Sequence, residues 1–222
     1  MAAPEAIALT YFPVRARAEP FAMLAAYLGV PVELTIVGRE EWPAVKPSTP
    51  LGQLPVATWP GSSVPVVQSN TLVRALAQEH GLLPADPATF RLVDMALESA
   101  HELTKLINPL SNVLHGESFL QTKQEYADKR GRYFTMLSDL LGDNDFFGGG
   151  SRPTPACFMA THVVDLTRSV FGKDETDAAY PALAALCDRV QRLPGVSDYV
   201  SNRRPLRAMP EPASAPATAP ST

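Results

Sequence analysis

Residues 7–17 read IALTYFPVRAR, an apolar run that stops at Pro13 and is followed by a loop with two arginines. Such a run predicts a buried strand, because buried strands are apolar and proline cannot donate to the hydrogen-bond ladder of a sheet. Residues 18–28 have the pattern of a helix with proline in its first turn and glycine after its end. An apolar, β-branched run at residues 32–37 predicts another strand. The chain therefore begins with a β-α-β unit.

A β-β-α unit is predicted next. Residues 38–53 contain three prolines, and we expect no regular element there. Two short apolar runs at residues 54–58 and 64–67 are separated by a Pro-Gly-Ser-Ser turn and predict a hairpin. Ser69 is expected to cap a helix that stops at a glycine. The two units together predict a small mixed sheet with helices on its faces.

The second half of the chain has the pattern of helices alone. Apolar residues recur at steps of three and four from Val93 to Leu114 and from Tyr126 to Leu141, which predicts two long amphipathic helices. Shorter helical segments are predicted at residues 155–171, 181–192 and 195–202. The sequence therefore predicts a bundle of about five helices.

This change in pattern divides the chain into two predicted domains. Residues 1–81 are the α/β domain, and residues 88–207 are the all-α domain. Residues 82–87 have the Pro-, Ala- and Asp-rich composition of a linker. Residues 208–222 are rich in Pro and Ala, show no periodicity and are predicted to be disordered.

Composition argues against several classes of protein. A net charge of −4 and a pI near 5.6 argue against a nucleic-acid binder, which usually carries a basic face. No apolar run is long enough to cross a membrane, and the N-terminus lacks the features of a secretory signal. The only cysteines, Cys157 and Cys187, are too few for a disulfide framework or a four-cysteine zinc site, and the four histidines show no metal-binding spacing. We therefore expect a cytoplasmic protein without a bound metal.

Three blocks of the first domain carry a more specific pattern. They are residues 9–17, residues 41–46 with 52–55, and residues 67–71. In order and spacing these blocks resemble the glutathione site of cytosolic glutathione transferases, and the resemblance extends to about residue 205. It implies the glutathione transferase fold, with a thioredoxin-like α/β N-terminal domain plus an all-α helical C-terminal domain that holds a second-substrate pocket. The Tyr-type sigma and pi classes are the most similar, and the eleven-residue step from Trp42 to Gln53 favours sigma.

The resemblance makes Tyr11 the catalytic residue. A free thiol with a pKa near 8.5 is mostly protonated at neutral pH, and a neutral phenol that donates a hydrogen bond to the sulfur favours the thiolate. Lowering the thiol pKa by about two units requires about 2.7 kcal/mol, and one hydrogen bond to a charged group supplies about 1.5–3 kcal/mol. Without the flanking blocks, Tyr11 would be interpreted as an aromatic side chain packed on the sheet.

The same resemblance assigns residues that bind glutathione. Gln68 and Ser69 precede a helix, where free N–H groups and the helix dipole favour the glutamyl carboxylate. Leu54 and Pro55 match a segment that ends in a cis-proline, whose preceding residue pairs with the cysteinyl backbone. Gln53 is expected to contact the glutathione backbone.

Further positions are assigned to the other end of glutathione. Trp42, Lys46 and Arg17 match positions around the glycyl carboxylate, for which an ammonium and an indole N–H are suitable partners. Phe12, directly after Tyr11, is assigned to the same site. Without the resemblance, Arg17 and Lys46 would be interpreted as solvated surface charges.

A homodimer is implied by Glu102. This residue matches an acidic position that reaches across the dimer to the glutamyl amino group. Asp94 and Glu98 lie on neighbouring helical turns and are alternatives for that role. Leu51 stands where pi enzymes insert an aromatic key into the partner, and its presence favours a sigma-like interface.

The resemblance implies a glutathione transferase with two partners, glutathione as co-substrate and a hydrophobic electrophile. The electrophile pocket is expected between the loop after Phe12 and the helix from Asn108 to Gly116. Pi enzymes carry a tyrosine near Asn112, and its absence argues against chemistry that needs a second phenol. Glutathione-dependent peroxidase or isomerase activity is compatible with such a site. The alternative is a non-catalytic structural or protein-binding module of the same fold, which would have no need for the whole set of binding residues.

The helix after Thr154 departs from the family pattern. Members carry a capping box there, a Ser or Thr followed three residues later by Asp, whereas this chain has Cys157. We expect a cap weakened by about 1 kcal/mol, because Cys157 cannot return the carboxylate bond.

Overall fold

A computed structural model describes residues 5–206, and the tail predicted at residues 208–222 lies outside them. Within the described residues, every strand belongs to the first part of the chain, and the second part is helical. The predicted combination of a small mixed sheet with an all-α part is therefore confirmed.

The strands form one sheet around the stretch that contains Tyr11. They are β1 (Ile7–Tyr11), β2 (Val32–Ile36), β3 (Val56–Thr58) and β4 (Val66–Val67), in the order β2-β1-β3-β4. β1 is parallel to β2, as a helical crossover requires, and antiparallel to β3, which pairs antiparallel with β4. β1 is thus an inner strand, and Tyr11 is its last residue.

Helices accompany the sheet. They are α1 (Glu19–Leu28), α2 (Trp42–Val45), a 3-10 helix (Lys46–Ser48) and α3 (Ser69–Glu79). The expectation of no regular element in the proline-rich stretch is wrong, because α2 and the 3-10 helix lie there. Pro43 and Pro47 each stand in the first turn of their short helix, where a missing N–H costs nothing. The error concerns a segment that carries two predicted site residues, Trp42 and Lys46.

The start of α3 also differs from expectation. Gln68 is the N-cap, with φ 70° and ψ 112°, and no side chain caps the helix. Ser69 is instead the first helical residue, and it is buried. The prediction that Ser69 caps the helix is therefore wrong, because the left-handed backbone at Gln68 already turns the chain into the helix.

The second part packs around one buried helix. The helices are α4 (Pro87–Asn112), α5 (Gly116–Leu141), α6 (Pro155–Phe171), α7 (Lys173–Ala179), α8 (Pro181–Gln191) and α9 (Val196–Asn202). α6 is buried along most of its length and packs against α4, α8 and α1. The sequence analysis missed α7, because its seven residues are mostly polar and have no apolar stripe.

The N-terminus of α6 requires a correction. The Thr154 N–H donates a hydrogen bond to Cys157 Sγ at 3.4 Å, so Cys157 does return a bond to the cap residue. The Thr154 hydroxyl donates to the Phe147 carbonyl at 3.2 Å and ties the preceding loop to the helix start. Burial raises the pKa of the Cys157 thiol, so the acceptor is a neutral sulfur, which is a weak one.

We predict that Cys157→Asp raises the melting temperature by about 2–4 °C, because a charge-assisted bond from the Thr154 N–H replaces a bond to sulfur. Differential scanning calorimetry at pH 7 is the measurement. Cys157→Ala is the matched variant, since it removes the acceptor, and it should melt below the wild type. A lower melting temperature for Cys157→Asp would mean that burying the carboxylate outweighs the improved cap.

Candidate active site

Tyr11 is a buried side chain at the end of β1. Its side chain is 6% exposed, and its hydroxyl oxygen accepts a hydrogen bond from the Arg17 backbone N–H at 2.9 Å. Burial raises the pKa of Tyr11 to about 12, so the phenol keeps its proton at neutral pH. Because the oxygen already has a donor, the hydroxyl proton is available to a group in front of it.

Phe12 joins Tyr11 to α2. Its ring lies 5.9 Å from the Tyr11 ring and meets the Trp42 ring edge to face, with 5.1 Å between centroids. Lys46 follows α2, and its side chain lies against Gly52, where a Cβ would stand 3.2 Å from Lys46 Cε. The structure therefore brings the aromatic part of the predicted site together and places Lys46 beside the turn before Gln53.

A narrow groove collects most of the predicted glutathione residues. The Leu54–Pro55 peptide bond on its wall is cis, as the resemblance implied. The groove is lined by Arg17, Leu51, Gln53, Leu54, Pro55, Val67, Gln68 and Ser69. Six of the eleven residues predicted from the sequence thus share one concavity.

The groove ends at the start of α3. Gln68 has a positive φ of 70°, which is uncommon for a residue with a side chain and is typical of functional sites. The first N–H groups of a helix have no intrahelical partner and favour an anion. This end of the groove can therefore bind a carboxylate through the backbone.

A second cleft of about 250 Å³ opens beside Tyr11. It lies between the β1–α1 loop and α4 and overlaps the region expected to hold the electrophile pocket. The expectation of one helix from Asn108 to Gly116 is wrong, because α4 ends at Asn112 and α5 begins at Gly116. Its lining residues are Tyr11, Phe12, Val14, Ala16, Arg17, Leu54, Thr104, Lys105, Asn108, Pro109, Asn112 and Val113. Asn112 stabilises the arrangement, because its Nδ2 donates to the Arg15 carbonyl at 3.0 Å and to the Asn108 carbonyl at 2.8 Å.

Glu102 does not line either concavity within one chain. Its side chain is about half exposed and pairs with Lys105 at 2.8 Å. The alternatives, Asp94 and Glu98, both pair with Arg74. A role for Glu102 at the glutamyl amino group requires a second chain and stays a prediction.

Comparisons with known proteins find relatives that match most of this chain. Residues 106–203 match the family described as glutathione S-transferase, C-terminal domain. The chain is 31% identical over 195 residues to the hematopoietic prostaglandin D synthase of Gallus gallus, covering 88% of this chain and 95% of that protein. It is 33% identical over 200 residues to glutathione S-transferase 1 of Ascaris suum, with the same coverages of 88% and 95%. The chain belongs to the glutathione S-transferase family.

The predicted enzyme class, glutathione transferase, is thereby confirmed. The transferase also shares its fold with the solved glutathione S-transferase from Ascaris lumbricoides, with a TM-score of 0.78 at 24% identity, over 90% of this chain and 98% of that one. Among residues 5–206, no helix is long and apolar enough to cross a membrane, and no group of His, Cys, Asp and Glu side chains is arranged to hold a metal ion.

The sequence analysis missed a buried polar pair in the transferase. His162 on α6 is 1% exposed, and its Nε2 lies 2.9 Å from Asn108 Oδ1 on α4. Burial lowers the pKa of His162 to about 3. The sequence pattern offers little by which to find this pair, because each residue is a single polar side chain on an otherwise apolar helix face.

We predict that this histidine makes the transferase lose stability in mild acid. The unfolded chain binds a proton at His162 below about pH 6.5, whereas the folded chain does not until about pH 3, so stability is present above pH 6.5 and falls as the pH drops. The loss is about 1.4 kcal/mol per pH unit, or about 2 kcal/mol between pH 7 and 5. Urea unfolding at both pH values measures it.

The free energy of unfolding falls with pH along a slope to which His162 contributes. His162→Gln should remove that contribution, because a glutamine does not titrate. His80→Gln is the control, since His80 is exposed on α3's C-terminal end and should leave the slope unchanged. The lowered pKa of the partly buried His101 acts in the same direction and remains in both variants. Equal slopes for wild type and His162→Gln would contradict the prediction.

A buried charge network was also missed. Arg15 pairs with Glu19 and with Asp165 on α6, and Arg203 binds the same two carboxylates at 2.8 Å each. The Tyr199 hydroxyl donates to Glu19 at 3.0 Å. The network connects the loop behind Tyr11 with the helical part, and sequence spacing could not reveal partners separated by more than a hundred residues.

Proposed function

We propose that this transferase conjugates glutathione with hydrophobic electrophiles and that Tyr11 activates the thiol. The observation that carries the proposal is the hydrogen bond from the Arg17 N–H to the Tyr11 hydroxyl. It occupies the phenol oxygen as an acceptor and leaves the O–H to donate to the glutathione sulfur, which lowers the thiol pKa. Burial supports this role because it keeps the phenol protonated.

The groove supports binding of glutathione in one orientation. Gln68, Ser69 and the free N–H groups of α3 suit the glutamyl carboxylate, and the Leu54 backbone beside the cis peptide bond suits the cysteinyl backbone. The Gln53 side-chain amide, also in the groove, suits the glutathione backbone. Lys46 lies against Gly52, Trp42 packs on Phe12, and together with Arg17 they suit the glycyl carboxylate. This orientation directs the thiol toward Tyr11.

The second cleft is suited to hold the electrophile. It adjoins Tyr11, and its walls combine apolar side chains with the polar residues of α4. An electrophile bound there would lie beside the thiolate, and holding two reactants together supplies much of the acceleration of a bimolecular reaction.

The finer assignments remain part of the proposal. We propose a sigma-like homodimer in which Glu102 reaches the partner's glutathione. Leu51, 53% exposed at the groove, is an apolar side chain that a partner would cover. The cytoplasmic location predicted from the sequence stays a prediction.

There are two alternatives to conjugation, a non-catalytic role and an isomerase activity. A non-catalytic module of the same fold would not need the bond that prepares Tyr11 as a donor, nor a groove with six predicted binding residues. A glutathione-dependent isomerase is favoured by the 31% identity to a protein named hematopoietic prostaglandin D synthase. That activity would use the same thiolate, so it is the second candidate.

The test combines binding and turnover. Calorimetric titration with glutathione measures binding, and absorbance measures conjugation of 1-chloro-2,4-dinitrobenzene. We expect both. Binding without conjugation of any electrophile would favour the isomerase, to be assayed next with an endoperoxide. Neither binding nor turnover would overturn the proposal and favour the non-catalytic module.

A further inference from the structure

β2 leaves one edge of the sheet open. In the order β2-β1-β3-β4 it is an outer strand, and within residues 5–206 it pairs with β1 alone. The Val37 N–H, just after β2, donates to the Tyr11 carbonyl at 2.9 Å. Because successive residues of a strand direct their main-chain groups to alternate sides, Leu34 and Ile36 direct theirs away from β1. The open edge therefore offers main-chain donors and acceptors to another strand.

The side chains along this edge are apolar and exposed. Leu34 is paired with Leu9 and Ile36 with Tyr11, so all four lie on the same face of the sheet. Leu9 and Tyr11 are buried, whereas Leu34 is 52% and Ile36 is 40% exposed. Natural edge strands are commonly protected by lysine or proline, and β2 contains neither. Its charged residue, Glu33, points to the opposite face.

A cavity of about 320 Å³ lies on the face that carries Leu34 and Ile36. Both side chains line it, and residues at and after the end of α9 form part of its wall. Residues directly opposite each other on neighbouring strands point to the same face. If another strand were added to β2, its alternate side chains would therefore point toward this cavity.

The wall of the cavity is cationic. Three arginines line it against one carboxylate, that of Glu19; they are Arg15, Arg203 and Arg204. The first two arginines are paired with Glu19 and with Asp165. Arg204 is exposed and forms no ion pair in the part of the chain that the structure describes. A second copy of the chain is disfavoured, because pairing β2 with itself brings two cationic walls together. An acidic segment complements the wall.

We propose that the open edge of β2 and this cavity bind an extended acidic segment of another protein. The segment adds a strand to the sheet, packs apolar side chains two residues apart on Leu34 and Ile36, and pairs a carboxylate with Arg204. In such strand addition the main-chain bonds supply affinity, and pockets for alternate side chains supply specificity. These three residues line neither the glutathione groove nor the electrophile cleft, so the inference does not depend on the proposed function.

Binding is tested with a defined peptide. The acetylated and amidated nonapeptide EETVTVTEE has two valines two residues apart between acidic ends. Fluorescence anisotropy of the fluorescein-labelled peptide with the full chain should give a dissociation constant of about 10–100 μM. EETTVVTEE has the same composition but adjacent valines, which point to opposite faces of a strand, and should bind about fivefold more weakly. Absence of binding by EETVTVTEE, or equal binding of the two peptides, overturns the proposal.

Hydrogen exchange followed by NMR tests whether the peptide adds a strand. At about 90% occupancy the peptide should slow exchange of the Leu34 and Ile36 amides about tenfold, because their N–H groups then donate to the peptide. The Glu33 and Thr35 amides are directed toward β1 and should change little. Unchanged exchange at Leu34 and Ile36 in the presence of bound peptide overturns the proposal.

Variants test the side chains. Leu34→Thr and Ile36→Thr should each weaken peptide binding about fivefold, because threonine keeps the preference for a strand but reduces the apolar contact. Arg204→Gln should weaken binding of EETVTVTEE by about two- to fivefold, as expected of an exposed ion pair, and should not change binding of QQTVTVTQQ. Val113→Thr is the control, because Val113 is 54% exposed but lines the electrophile cleft instead of this cavity.

Two outcomes would assign the surface to another occupant and overturn the proposal. Weaker binding by Val113→Thr together with full binding by Leu34→Thr would mean that the peptide enters the electrophile cleft. A lower molar mass of Ile36→Thr than of the wild type, measured by light scattering without peptide, would mean that a second copy of the chain covers the edge of β2.

Discussion

Tyr11→Phe lowers the rate of glutathione conjugation at pH 7 by about 20-fold or more and leaves glutathione bound. The reason is the state of the thiol. With a pKa near 8.5 about 3% of a thiol is ionised at pH 7, and with a pKa lowered by two units about three quarters is ionised. Phenylalanine keeps the ring that packs on Phe12 and removes the hydroxyl, and with it both the bond donated to the sulfur and the bond accepted from the Arg17 N–H.

The pH dependence identifies the group that changes. In the wild type the pKa of Tyr11 is raised to about 12, so the midpoint of the rate profile near neutral pH belongs to the thiol and not to the phenol. The midpoint should move up by about two pH units in Tyr11→Phe. Glutathione affinity, measured by calorimetry, should change little.

Tyr27→Phe is the matched control. Tyr27 packs on Phe158, with 5.8 Å between ring centroids, and lines neither concavity, so loss of its hydroxyl should leave rate and profile unchanged. If Tyr11→Phe keeps the wild-type midpoint, another group stabilises the thiolate and the role of Tyr11 is limited to packing.

Asp165→Asn should lower the free energy of unfolding by about 3 kcal/mol, because it leaves two buried guanidinium groups with one carboxylate. Arg15 and Arg203 are 8–9% exposed, and both bind Asp165 as well as Glu19. Asparagine keeps the size of the side chain, so the loss reports the missing charge. Urea unfolding at pH 7 is the measurement.

An exposed ion pair provides the control. Glu125 pairs with Lys129 at 3.1 Å, but both side chains are about half exposed, so Glu125→Gln should cost less than about 1 kcal/mol. Similar losses for the two variants would show that the buried network is no more important than a surface pair.

The network also has a pH signature distinct from that of His162. Burial alone would raise the pKa of the Asp165 carboxyl, but the Arg203 and Arg15 guanidiniums lower it below its ordinary value. The contribution of the Asp165 carboxylate to stability is therefore present above about pH 4. It is lost as the pH falls through the lower pKa that Asp165 has in the folded protein. Below about pH 4 the difference between wild type and Asp165→Asn should shrink.

Several features of the fold were predictable because they depend on local pattern. The apolar run that ends at Tyr11 became β1, and the stripes at steps of three and four became α4 and α5. The resemblance of three short blocks predicted a set of residues, six of which line one groove. That these residues bind glutathione stays a prediction. Short polar helices such as α7 escaped prediction because they have no apolar periodicity to detect.

By itself, then, the sequence determined the two-part architecture, the family and the identity of Tyr11 as the candidate donor. Tertiary structure alone decided which groups touch: the Arg17 N–H on the Tyr11 hydroxyl, Asn108 on His162, and Arg203 on Glu19. The physical reason is that apolar periodicity records which face of an element is buried. It contains no information about which polar group on a distant element will satisfy a buried donor or charge, and that choice is made only when the elements pack.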